Sequence, residues 1–350
     1  MVQVARFSHR LAPSVAFILG MLWSSTVAAQ SNAWPQDTDT RDAPRQSADG
    51  AARTVVSLRW ENDVIAGTDD NYSNGTALTL ARDGSGALGW LWKNVRLPGG
   101  RLVSNYEFGQ LIVTPKDIRR TVPDPNDRPY AGLLYVAVST QRVDGDRFDG
   151  VKVITGVVGP AALAESTQKA FHRMIDSPVP QGWDFQLQNE PILNVVYEHR
   201  RRYALAGSRD GWQVDAIPVA GAMVGNVLIQ AETEAQVRVG FHLPDDFGTT
   251  LMRGLGNLPF PRSDGPAPFG IFGFASAGGN LVARNLTLDG NTGRDGPRVD
   301  KKPAFAAAQV GLSAWTRWVD LSAAYVFWGR EYEAQPHASH FGIATVSFRF

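Results

Sequence analysis

The clearest pattern along the chain has a period of two. Ala231, Thr233, Ala235, Val237, Val239, Phe241 and Leu243 fall on one face of an extended segment. Glu232, Glu234, Gln236, Arg238, Gly240 and His242 fall on the other. Successive side chains of a strand point to opposite sides, so one face suits hydrocarbon and the other a polar interior. A soluble sandwich gives the same alternation with its apolar face turned inward, and periodicity alone does not separate the two. Length does. This alternation outlasts the usual five or six residues of a soluble strand and matches the ~10-residue segments of membrane barrels. Val319, Leu321, Ala323, Tyr325 and Phe327 repeat it against Asp320, Ser322 and Ala324.

The chain also ends in this way. Ala344, Val346, Phe348 and Phe350 alternate with Thr345, Ser347 and Arg349. An exposed edge strand ending in Phe would invite edge-to-edge association. The segment resembles the closing strand of a bacterial outer-membrane barrel. Alternation and turn residues together predict strands over 53–61, 74–83, 101–114, 130–142, 149–158, 191–203, 211–227, 228–243, 267–281, 304–316, 318–330 and 340–350. The expected fold is therefore all-β: an antiparallel transmembrane β-barrel of about twelve strands. An even number puts both chain ends on the periplasmic side. Two long connections stand out. Residues 243–267 are rich in Pro and Gly and read as a loop. Residues 161–175 hold helix formers without Pro or Gly and stop before Pro178 and Pro180, which predicts a short helix between strands.

The N-terminus changes the compartment. Arg6 and Arg10 precede a short apolar run from Val15 to Trp23, then small residues up to Ala29. That is the layout of an export signal over 1–29, too short for a spanning helix. Residues 30–52 are polar and aperiodic and read as a disordered leader, which leaves 53–350 for the barrel. The chain has no cysteine, which excludes disulfides, zinc–thiolate sites and cysteine nucleophiles. Its formal charge is +0, and loss of the two signal arginines leaves it slightly acidic, so nucleic acid is not an expected partner. Ten tryptophans, many near strand ends, suit an interfacial girdle.

Three polar clusters could carry chemistry. Residues 60–75, WENDVIAGTDDNYSNG, crowd Asn, Asp and Glu beside a strand end. Oxygen ligands of this kind suit Ca²⁺, although the EF-hand spacing fails: Asn74 stands at its glycine position and Leu80 at its closing glutamate. Residues 124–132 read as a turn entering a strand. In the predicted helix, Gln168 and His172 are four apart and share a face. A histidine there can act as general base or simply as a packing residue. GxSxG and phosphate-loop patterns are absent.

Several motifs occur together in order: Glu61-Asn62-Asp63, Tyr72-Ser73-Asn74-Gly75, Asp127-Arg128-Pro129-Tyr130-Ala131-Gly132, Gly156-Val157-Val158-Gly159-Pro160, Gln168-x-x-x-His172 and Gly182-Trp183-Asp184-x-Gln186-Leu187. In this the chain resembles the LpxR-type lipid A 3′-O-deacylases of Gram-negative outer membranes. The resemblance implies a twelve-stranded barrel whose site lies between barrel wall and lumen near the outer leaflet. It implies an esterase that removes the 3′-linked acyloxyacyl chain of lipid A, acting on lipopolysaccharide as a monomer. It also implies His172 as base, Asn62, Asp63, Ser73 and Gln168 in the site, and Ca²⁺ held by Asp63, Ser73 and Gly75. One position departs. The family's glutamate, six residues after the histidine, is Pro178 here. Asp176 or the more distant Glu190 could take its place. Two other readings remain: a degenerate barrel that binds lipopolysaccharide without cutting it, and a passive porin or scaffold barrel.

Overall fold

A computed structural model describes residues 54–63, 74–93, 100–208, 210–249, 254–259, 261–262 and 267–350. The expected signal and leader lie outside these residues, as does Ser73. Among the described residues, thirteen strands form one antiparallel sheet. They are β1 (Thr54–Asn62), β2 (Asn74–Asp83), β3 (Arg101–Val113), β4 (Ala131–Asp144), β5 (Arg147–Val158), β6 (Glu190–Arg201), β7 (Tyr203–Gly207), β8 (Trp212–Gly225), β9 (Leu228–Phe241), β10 (Phe269–Asn285), β11 (Ala304–Thr316), β12 (Val319–Trp328) and β13 (Ser339–Arg349). Among the described residues, three α-helical segments accompany them: α1 (Trp90–Lys93), α2 (Ala164–Met174) and α3 (Leu286–Asp289).

The sheet closes. β1 pairs with β13 from Val55 opposite Arg349 to Asn62 opposite Gly342. The other seam joins β6 to β8. The short β7 continues β6 rather than adding a wall strand, so the barrel has twelve. β5 is exhausted where Arg147 meets Arg201. Beyond that point the chain pairs with β8 alone, through Tyr203 opposite Ala216.

The direction of the faces decides between barrel and sandwich. Val237 and Val239 are 46% and 49% exposed, whereas Arg238 between them is fully buried. Leu58, Leu78, Phe108, Val136, Leu193 and Leu312 are exposed in the same way. An apolar exterior around a charged interior is stable only if lipid covers the outside.

That interior is filled. Lys152 Nζ donates to Glu107 Oε1 at 3.0 Å. Arg238 meets Asp215 at 2.6 Å and also pairs with Asp246. The Pro- and Gly-rich connection between β9 and β10 folds back among these groups. Arg200 donates to the carbonyls of Phe247, Gly248 and Leu258 at 3.0–3.1 Å. Lys152 reaches Asn257 O at 3.0 Å, and Gln141 Nε2 reaches Pro259 O at 2.9 Å. Irregular backbone inside a membrane barrel needs such partners for its carbonyls. Phe247, Leu255 and Leu258 of the same connection are buried.

The end opposite the termini is tied across its mouth. Buried Arg128 donates to Glu331 Oε2 at 3.1 Å and to Thr287 Oγ1 at 3.2 Å. Tyr332 donates its hydroxyl to Asp127 Oδ1 at 2.5 Å. Burial and then the Asp127 carboxylate hold the Tyr332 phenol above its ordinary range. Three connections at this end are thus joined around the Asp127–Arg128 dipeptide.

Candidate functional site

The expected helix forms over Ala164–Met174. A Glu165–Lys169 pair at 2.6 Å supports it, four residues apart on one face. Its N-cap, Leu163, has left-handed backbone at φ 60 and gives no side-chain cap. The chain reaches this start through Gly159, whose φ of 101 and closeness to the Gln188 backbone suit only glycine.

Strand parity places the helix on the outside of the barrel. On β4, Leu133, Tyr135 and Ala137 point into the core, so Gly132 shares the outer face with exposed Val136. A Cβ added at Gly132 would stand 2.2 Å from Ala164 Cβ. On β3, Ile112 shares the outer face with exposed Phe108 and packs with Tyr130, Ala164 and Trp183. Gln110 Nε2 donates to Ala162 O at 2.7 Å. The position expected between wall and lumen is therefore corrected: α2 lies against the outer wall. Leu163 and Met174, at 60% and 74% exposure, carry apolar surface outward from the helix ends.

Asn62 belongs to the same wall. It shares its face with exposed Leu58 and lies opposite Asn74, which lies opposite Ile112, which lies opposite Gly132. One outward-facing row thus runs from Asn62 to the start of α2, and Asp63 follows at the end of β1. Both Asn62 and Asp63 are buried. Gly75 is buried opposite Glu61 on β2. The structure brings Asn62, Asp63 and Gly75 together at adjacent strand ends, and Gln168 and His172 together on one buried helix face. Ser73, the remaining expected ligand, falls outside the described residues.

On α2, Gln168 and His172 are 3% and 6% exposed. The His172 Nδ1 atom is 2.7 Å from Pro178 O. A carbonyl can only accept, so Nδ1 carries the hydrogen and Nε2 of the neutral ring is left as the base. Pro178, which can ligate nothing through its side chain, contributes its backbone instead. Asp176 is exposed, with φ 55, just beyond the helix. Glu190 is committed elsewhere, accepting from Asn226 Nδ2 at 2.9 Å, Asn291 Nδ2 at 3.1 Å and Thr292 N at 2.8 Å. Sequence reasoning missed the Pro178 carbonyl and the work of Trp183. The second carried a signal, since a buried indole N–H needs an acceptor.

A family model described as "Outer membrane protein LpxR" matches residues 16–350. Among solved structures, the chain is similar to LpxR from Salmonella typhimurium, with a TM-score of 0.67 and 18% identity, covering 85% of this chain and 99% of that one. The translocator domain of the autotransporter NalP from Neisseria meningitidis gives a TM-score of 0.40 at 8% identity, over 87% of this chain and 90% of that one. Comparison with curated proteins returns no match.

Proposed function

This chain belongs to the LpxR family of outer membrane proteins, and on that premise we propose that it is an outer-membrane esterase that removes the 3′-linked acyloxyacyl chain of lipid A. The observation that carries the reading is His172. It is buried on a helix whose start packs on the outer wall, with Nδ1 held by Pro178 O and Nε2 left for proton transfer. A lumen-facing base would meet solutes; in this reading His172 serves membrane lipid.

The row geometry supports joining the two halves of the site. Three inter-strand steps of ~4.8 Å separate Gly132 from Asn62, or ~14 Å. At a rise of ~1.5 Å per residue, α2 carries His172 ~12 Å from Ala164, which sits on Gly132. A helix laid along the row would bring the imidazole toward the Asn62 end.

In this mechanism Nε2 of His172 takes a proton from water as the oxygen adds to the ester carbonyl carbon. The tetrahedral intermediate collapses, the bond to the sugar oxygen breaks, and His172 returns the proton to that oxygen. The products are the acyloxyacyl acid and a sugar hydroxyl. Asn62 offers an amide to the reacting ester, and buried Asp63 places negative charge at the strand ends.

The donor chemistry fits Ca²⁺. Asp63, Asn62, Ser73 and the Gly75 carbonyl offer oxygen, as a hard cation requires. Among the described residues no group of three or more His, Cys, Asp or Glu gathers. In this reading the site rests on the Asp63 carboxylate and neutral oxygens, leaving positions for substrate. When bound, the ion supplies Lewis-acid stabilisation of the ester oxyanion. All these groups come from one chain, so a monomer suffices.

Two rivals lose support. A filled lumen argues against a passive porin. The Pro178 carbonyl still orients His172 at the position where the family's glutamate is missing, which weakens the case for a degenerate binder. The test is purified protein in detergent with lipid A and calcium, followed by mass spectrometry. Release of one acyloxyacyl acid, stopped by EGTA, is expected. Binding without release would replace the enzyme by the binder.

A further inference from the structure

Gln168 and Trp183 form a unit that the proposed chemistry has not yet used. Trp183 is fully buried and donates its indole N–H to Gln168 Oε1 at 2.9 Å. An indole nitrogen only donates, so the atom facing it must be the amide oxygen. That fixes which way the amide points. Its Nε2, with two hydrogens, is turned the other way, buried and without a hydrogen-bond partner. Leaving a buried amide donor unmet costs about 1–3 kcal/mol. The site gains something for that cost only if a ligand supplies the acceptor.

The surroundings hold this arrangement rigidly. The Trp183 ring packs on Tyr130 with centroids 4.9 Å apart. Both sit in one cluster with Ile112 and Ala164. Tyr130 in turn is fixed through its carbonyl, which accepts from Leu187 N at 2.9 Å. Gln168 shares its helix face with His172, so its free N–H and the base Nε2 serve the same buried space.

We infer that Gln168 Nε2 donates to the oxygen that becomes negative during ester cleavage, and that Trp183 is the positioning residue that keeps the amide from flipping. The inference rests on the hydrolase reading and deepens it by naming a proton-bearing oxyanion donor on the helix. A flipped amide would present Oε1 to the oxyanion, oxygen against oxygen. The indole prevents this by occupying Oε1.

The test is a double-substitution cycle on the full-length barrel in detergent. It measures affinity for a long-chain alkyl phosphonate, which mimics the tetrahedral oxyanion and needs no turnover. Gln168→Glu keeps an acceptor for the indole and removes the N–H donors. Trp183→Phe keeps the ring packing and removes the indole donor. Each is expected to weaken phosphonate binding about tenfold or more, and the double substitution is expected to add nothing further. Gln168→Ala serves as a second partner in the cycle if Gln168→Glu fails to give a heat-modifiable barrel. Losses that multiply in the double variant would reduce Trp183 to a packing residue. Unchanged binding by Gln168→Glu would remove the donor. Lipid A turnover by the wild type is scored separately: a wild type that binds phosphonate with this coupling but releases no acid overturns the hydrolase and leaves the donor standing.

Discussion

The lumen and the outer wall both bury polar groups, but they do so in different ways. In the lumen, charge meets charge: Arg238 pairs with Asp215 and Asp246, Lys152 with Glu107, and Arg200 with Glu198 and three loop carbonyls. On the outer wall at the end opposite the termini, the buried polar groups are few. Two of them, His172 Nε2 and Gln168 Nε2, face away from the partners that fix them. Polarity inside a barrel is the ordinary way to fill it. On the lipid side, where hydrocarbon is the default neighbour, polarity left open toward a ligand is a sign of chemistry.

The comparison can be broken most forcefully at His172. His172→Ala should lower deacylation by about 10²–10⁴-fold and leave the heat-modifiable barrel intact. A variant that keeps full turnover would return this wall to inert structure. In the lumen, the opposite split is expected. Arg238→Leu leaves buried Asp215 and half-buried Asp246 without their cation. It should destabilise the barrel by about 3–5 kcal/mol in urea-induced unfolding from lipid vesicles, with turnover per folded molecule unchanged.

A third change tests the seating of the helix. Gly132→Leu forces a side chain into the place of Ala164 and should push α2 off the wall. Displacing a catalytic group by about 1 Å can cost 10²-fold, so turnover should fall by about that factor while the barrel still shows its shift on heating in gels. Asp176→Asn is expected to have the smallest effect, within about twofold in kcat, because exposed surface substitutions away from a site change little. A large loss there would mean that the carboxylate reaches the site after all.

Much of the fold was legible because membrane barrels write it twice over. Alternation marks the strands, and its length marks the solvent. The predicted strands 74–83 and 304–316 match β2 and β11. The β6–β7 break was not legible, because it depends on where the neighbouring strand β5 ends. Nor was the destination of residues 243–267: the sequence shows a loop, and only closure of the wall creates the charged interior that draws it in. At the site, Asn62, Asp63, Gln168 and His172 could be named from motif order. Their side of the wall could not, since a one-residue change of register would reverse it. The Pro178 carbonyl was hidden for a different reason. A backbone acceptor leaves no mark in residue type, and proline looked like a loss.

The most direct measurement is mass spectrometry of lipid A from Gram-negative cells carrying the wild-type protein or His172→Ala, at equal amounts of folded barrel. The account predicts loss of one acyloxyacyl unit with the wild type and an unmodified spectrum with the variant. Identical, unmodified spectra in both would contradict it.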